Sequence, residues 1–216
     1  MDARDRSARG IARSSALAAA GLGLLVILAA PAGAELLAPS RAPPLPEFTQ
    51  DASDAWLNSA PLRVADLRGR VVLLEFWTFD CVNCRRSIPW LHAIEQRYAQ
   101  DGLRLVGIHT PELPQERVRA NVVAKLRELG VGHPVMLDAD FAYWNALGNR
   151  YWPAFYLVDR AGRVRAVFVG ETHAGDARAV GMERAIISLL AEGPASAASA
   201  AGPDGAARAV LSASTR

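Results

Sequence analysis

Apolar and polar positions follow two rhythms through the middle of this chain. Val71-Val72-Leu73-Leu74-Glu75-Phe76-Trp77 is an apolar run broken only by Glu75, the pattern of a strand buried on both faces. Residues 84–99 switch to helical spacing, with Cys84, Ile88, Leu91 and Tyr98 on one face and Pro89 predicting a kink. Residues 103–108 form a second strand. Pro114 opens a helix running to Leu129 and ending at Gly130, the usual placement of Pro and Gly at helix ends. Residues 134–137 form a short strand, and Asp140 can cap a short helix through Leu147. Residues 154–158 and 164–169 pair as a hairpin around Asp159-Arg160-Ala161-Gly162. A last helix covers about 176–191, with Val180, Ile186, Leu189 and Leu190 on or near one face. This βαβαβ half followed by ββα predicts an α/β fold with a mostly parallel central sheet and helices on both faces.

The two ends follow neither rhythm. Arg4, Arg6, Arg9 and Arg13 precede an uncharged stretch, Ser14 to Ala34. Its apolar heart, Ala16 to Ala30, would reach about 22 Å as a helix, against roughly 30 Å of bilayer hydrocarbon. Pro31 breaks it, and Ala32-Gly33-Ala34 has the small-x-small form of a cleavage site. Residues 1–34 are therefore expected to be a signal peptide, with an uncleaved, tilted membrane anchor as the alternative. Either puts the remainder in the periplasm or on the extracytoplasmic face of a membrane. Residues 35–46, with Pro39, Pro43, Pro44 and Pro46, suit an extended linker. Residues 194–216, mostly Ala, Ser and Gly, suit a disordered tail, leaving 47–193 as one compact domain.

Composition narrows the chemistry. Lys and Arg number 24 against 22 Asp and Glu, a net charge of +2 with no basic stripe, so nucleic acid is not an expected partner. With 51% hydrophobic residues the chain can bury a core. Its 2 cysteines, Cys81 and Cys84, exclude a disulfide scaffold and a four-thiolate zinc site within the chain.

Those cysteines stand where the buried strand gives way to a helix. Two intervening residues at a helix start put the sulfurs within bonding reach. Cys81 falls at or before the first turn, where unpaired amides and the helix dipole favour a thiolate, the attacking species in disulfide exchange. Cys84, one turn further in, is expected to be more buried. Other readings are open on these residues alone. A structural disulfide across so short a loop would constrain the unfolded chain little. A metal site would need further ligands from His92, His109, His133 or His173. Two ordinary core thiols would seldom fall this close together.

The segment Leu74-Glu75-Phe76-Trp77-Thr78-Phe79-Asp80-Cys81-Val82-Asn83-Cys84, with Pro89 beyond it, resembles the active-site segment of the thioredoxin superfamily. Three further stretches narrow the resemblance to the exported TlpA-like branch, close to DipZ-type thiol–disulfide oxidoreductase domains. They are Trp56-Leu57-Asn58-Ser59 with Leu67-Arg68-Gly69, Val106 to Glu112, and Asn149-Arg150-Tyr151-Trp152-Pro153-Ala154. Over about 45–192 the resemblance implies a thioredoxin-like central mixed sheet flanked by helices, with an inserted helix and strand at 114–137 and a short N-terminal extension.

Residue by residue, it implies Cys81 as nucleophile and Cys84 as resolving thiol. It matches Pro153 to the proline that thioredoxins hold in cis facing the disulfide, although an ordinary strand-start proline would read the same locally. It places Glu75 as a buried carboxylate under the second cysteine, its pKa raised, exchanging a proton with Cys84; an edge-facing, salt-bridged Glu is the alternative. Trp152 and Phe79 are candidates for an apolar lip around the disulfide. His109, at the sheet edge that carries the cysteines, could line the substrate groove, complete a metal site, or be a partly buried histidine bonded to backbone. Glu112 could cap or line the same rim. No organic or metal cofactor is implied beyond the redox-active Cys81–Cys84 disulfide. The implied partners are protein thiols and disulfides and a membrane thiol reductant, with reduction favoured and oxidised apocytochrome thiols among the substrates. Val82-Asn83 lacks the Pro of reducing thioredoxins and the His of strong oxidants, so the redox poise stays open. A copper-binding chaperone on the same fold, using Cys81, Cys84 and His109, is the competing expectation.

Overall fold

The computed structural model describes residues 36–193; the expected leader at 1–34 and tail at 194–216 lie outside the described residues. One six-stranded sheet organises them: β1 (Trp56–Leu57), β2 (Val71–Trp77), β3 (Leu103–His109), β4 (Val135–Leu137), β5 (Ala154–Val158) and β6 (Val164–Val169). The helices are α1 (Val82–Tyr98), α2 (Arg119–Leu129), α3 (Ala142–Ala146) and α4 (Ala177–Ala191). Pro89 lies inside α1 without ending it.

The spatial strand order is β1-β4-β3-β2-β5-β6. Junctions β2–β3 and β3–β4 are parallel, whereas β2–β5, β5–β6 and β1–β4 are antiparallel. The sheet is therefore mixed, as the family resemblance implied, and not mostly parallel as the element order suggested. Hydrophobic rhythm marks a strand but carries no sign for its direction.

β2 is buried along its whole length, and its alternation divides the core. Val72, Leu74 and Phe76 join Tyr143 and Trp144 of α3 on one face. Val71 and Leu73 meet Leu91 and Ile94 of α1 and Met182, Ile186 and Leu189 of α4 on the other. Glu75 shares the parity of that second face, so its side chain is committed to the side that α1 covers.

Three expectations change in detail. The helix expected over 114–129 comes in two pieces, a 3₁₀ turn at Pro114–Arg117 and then α2, because Glu116 turns inward and is buried. α3 begins at Ala142; Asp140 accepts one amide from Ala142, but buried Asp138 holds the amides of Tyr143 and Trp144 at 2.9 and 3.0 Å. Nor is the proline-rich segment a free linker. Leu37 donates to Arg165 O and Leu45 to Gly162 O, both at 2.8 Å, Pro44 bridges Arg163, and Ala42 and Leu45 are buried. Prolines suit such a place, since an edge strand leaves one side without ladder bonds.

Candidate active site

The end of β2 and the first turn of α1 set the two sulfurs. Cys81 caps the helix: its Sγ accepts the amide of Cys84 at 3.2 Å, satisfying one of the donors a helix start leaves over. Cys81 is partly exposed and Cys84 fully buried, both are free thiols, and their sulfurs approach to 2.6 Å with Cys84 donating. The donated bond from Cys84 draws the Cys81 thiol down to about 7; partial burial and the nearby Glu112 oppose that pull. Cys84 goes the other way. Burial pushes it up, and its bond to Cys81 and the charges of Cys81 and Glu75 add to the push. One turn of helix thus separates a sulfur that ionises near neutrality from one that keeps its proton.

Beneath them lies a closed floor. Glu75 is 4% exposed, and among the described residues its Oε1 has no hydrogen-bond partner. Burial raises its carboxyl well above the ordinary 4.5, with the Cys81 charge adding. Phe79 (3% exposed) packs with Cys84, Trp77 and Ile88, and His109 (1% exposed) stacks on it at 5.6 Å. Phe79 is therefore floor, not lip, and His109 does not line a groove. The His109 Nε2 faces the Thr78 hydroxyl at 3.3 Å, and burial holds its ring down to about 4, the neutral form. This placement does not favour a copper site built on Cys81, Cys84 and His109. Among the described residues no three His, Cys, Asp or Glu side chains gather into a metal cluster.

Two loops close around the pair. The Trp152–Pro153 bond is cis, and Pro153 is buried. Partly exposed Trp152 packs against the cluster that holds Cys81 and Cys84, and its indole N–H donates to Thr110 O at 3.0 Å. Asn149 steadies the turn before it, donating to Tyr151 O and accepting from the Tyr156 hydroxyl, each at 3.1 Å. Val82, Leu113 and Tyr151 leave apolar surface exposed on the segments around this opening.

The second loop contains a residue that the sequence reading passed over. Glu116 is 1% exposed, yet its carboxylate accepts the amides of Asp80 at 2.9 Å, Glu112 at 2.7 Å and Leu113 at 2.6 Å. A signal existed: Pro114 at the first position of a turn and Glu116 at the third form half of a capping box, the acid reaching back to the cap amide. The bond to Asp80, across the sheet edge, had no local signature.

Comparison with known proteins gives this geometry a setting. The Redoxin family model matches residues 41–182. Protein DipZ of Mycobacterium bovis is 44% identical over 119 residues, covering 54% of this chain and 17% of DipZ. The chain therefore matches about a sixth of that relative's length. Thiol-disulfide oxidoreductase YkuV of Bacillus subtilis is 28% identical over 149 residues, 69% of this chain and 95% of YkuV. A solved thiol:disulfide interchange protein of the thioredoxin family from Chlorobium tepidum superposes with a TM-score of 0.56 at 25% identity, covering 71% of this chain and 99% of its own.

Proposed function

The chain belongs to the Redoxin family, within the thioredoxin superfamily, and from that premise we propose that it is an exported thiol–disulfide oxidoreductase reducing partner disulfides through the Cys81/Cys84 couple. The observation that carries this reading is the division of labour between the sulfurs, one half-exposed and drawn down to about 7, the other buried 2.6 Å behind it.

The Cys81 thiolate attacks a partner disulfide, forming a mixed disulfide and expelling one partner sulfur as a thiolate. Cys84 then loses its proton and attacks Cys81 Sγ. The Cys81–Cys84 disulfide forms, the second partner sulfur leaves, and two electrons have passed to the partner. Glu75 supports this step: its carboxylate form, which binds a proton more tightly than an ordinary glutamate, takes the Cys84 proton as that thiol attacks. Trp152 and buried Pro153 form the wall against which an extended partner segment lies. A membrane thiol reductant recharges the pair, no further cofactor enters, and extracytoplasmic protein disulfides, oxidised apocytochrome thiols among them, are the substrates.

The test is trapping. A Cys84→Ser variant of the full chain, produced in its native envelope, should accumulate reductant-sensitive mixed disulfides that vanish when Cys81→Ser is added. A folded, exported Cys84→Ser protein that captures nothing would overturn the reading.

A further inference from the structure

The nucleophile's flank is assembled by a side chain that touches neither sulfur. A buried carboxylate is unfavourable unless hydrogen bonds replace its water, and bonds to an ionised group are the stronger ones. Glu116 meets that requirement with three backbone amides from two separate parts of the chain. One belongs to Asp80, the residue just before Cys81; the others belong to Glu112 and Leu113, in the loop after β3.

We propose that Glu116 is a positioning residue for the redox pair: one oxygen grips the amides of Glu112 and Leu113, the other grips that of Asp80, and this ties the loop that carries Glu112 to the segment that leads into Cys81. The inference rests on the proposed exchange chemistry at Cys81 and adds a part to it. Glu112 is exposed and has no bond from its carboxylate to the sulfur, so its influence is through space and depends on where the loop is held. The other groups around Cys81 come from separate elements. Cys84 comes from α1, Glu75 from β2, and Asp80 has its own carboxylate tied by Gln115 Nε2 at 2.9 Å. Arg85 and Arg86 are exposed on the first turns of α1, with Arg86 3.6 Å from Glu171, and His109 of β3 feels the Glu116 charge.

The experiment is a double-mutant cycle on the full chain, read by the pH dependence of iodoacetamide alkylation at Cys81 with the modified peptide identified by mass. Glu112→Gln should move the midpoint down by roughly 0.4 pH unit, the order expected of a nearby unit charge acting through a water-like medium. In a Glu116→Gln background that shift should fall below half, because an amide group cannot accept all three N–H donors. Glu116→Asp, which keeps the charge but withdraws both oxygens, should lose the coupling as well. Equal Glu112→Gln shifts with Glu116 intact and replaced would overturn the inference. A Cys81 that shows no thiolate titration in any variant would instead overturn the exchange reading beneath it.

Discussion

Two glutamates flank the sulfur pair, equally hidden and oppositely supplied. Glu75 sits mid-strand in β2, where the backbone already pairs with Gly107 of β3 and Phe155 of β5. Its neighbours are ladder and hydrocarbon, so burial acts on it unopposed and its carboxyl rises. Glu116 sits in a 3₁₀ turn, and turns leave amides without internal partners. Three of them converge on it. Depth is the same for both; the supply of unused backbone donors is what differs. That supply leaves one acid holding its proton amid hydrocarbon and gives the other three backbone partners at the turn into α1.

The sharpest way to break this contrast is to make the same substitution at both positions. Glu116→Leu leaves three amides facing hydrocarbon, and each orphaned donor costs on the order of 1 kcal/mol or more, so the loss should be about 3–4 kcal/mol. Glu75→Leu removes an unpartnered polar group and replaces it with one of similar volume, which should be neutral or stabilising by about 1 kcal/mol. Urea denaturation of the two variants beside the parent reads both values. Losses of the same sign and size would mean that burial, not partnering, governs these acids.

A second measurement isolates Glu75 by its proton. Its folded pKa lies above the ordinary 4.5. The stability contributed by the neutral acid is therefore complete below that value and is lost as pH rises toward the folded pKa, because the unfolded chain ionises first. The parent should weaken as pH rises above about 4.5, and Glu75→Gln should flatten that slope by up to about 1.4 kcal/mol per pH unit. Parallel stability curves for the two proteins would show that Glu75 keeps no proton on folding.

How far the sequence foretold all this follows from the range of each interaction. β2, β5 and β6 announced themselves through apolar runs, and α4 through the helical spacing of Ile186, Leu189 and Leu190. Cys81 at a helix cap was legible because spacing and helix-end chemistry are local. The direction of β5, the pairing of the two-residue β1 with β4, and the docking of 36–46 on β6 depend on partners far along the chain. Phe79 and His109 were placed at the right end of the sheet, but the loop path that turns both inward is a tertiary matter. Glu116 shows the limit most clearly. Its bonds to Glu112 and Leu113 follow a known turn pattern, while its bond to Asp80 spans 36 positions.

The finest test uses the fact that Asp80 is held twice at the same length. Its amide donates to Glu116 at 2.9 Å, and its carboxylate accepts from Gln115 Nε2 at 2.9 Å. Distance cannot rank these bonds; their surroundings can. The Gln115 bond is exposed, so water replaces it almost without loss, and Gln115→Ala should lower stability by no more than about 0.5 kcal/mol. It should also leave the alkylation profile of Cys81 where it is, since the Glu116 grip on three amides is untouched. Urea midpoints and the same iodoacetamide assay check both values. If Gln115→Ala weakened the fold as much as Glu116→Leu, or moved the Cys81 midpoint, then fastening of any kind to Asp80 would matter. The buried, amide-fed acid would then lose the distinction that separates it from Glu75.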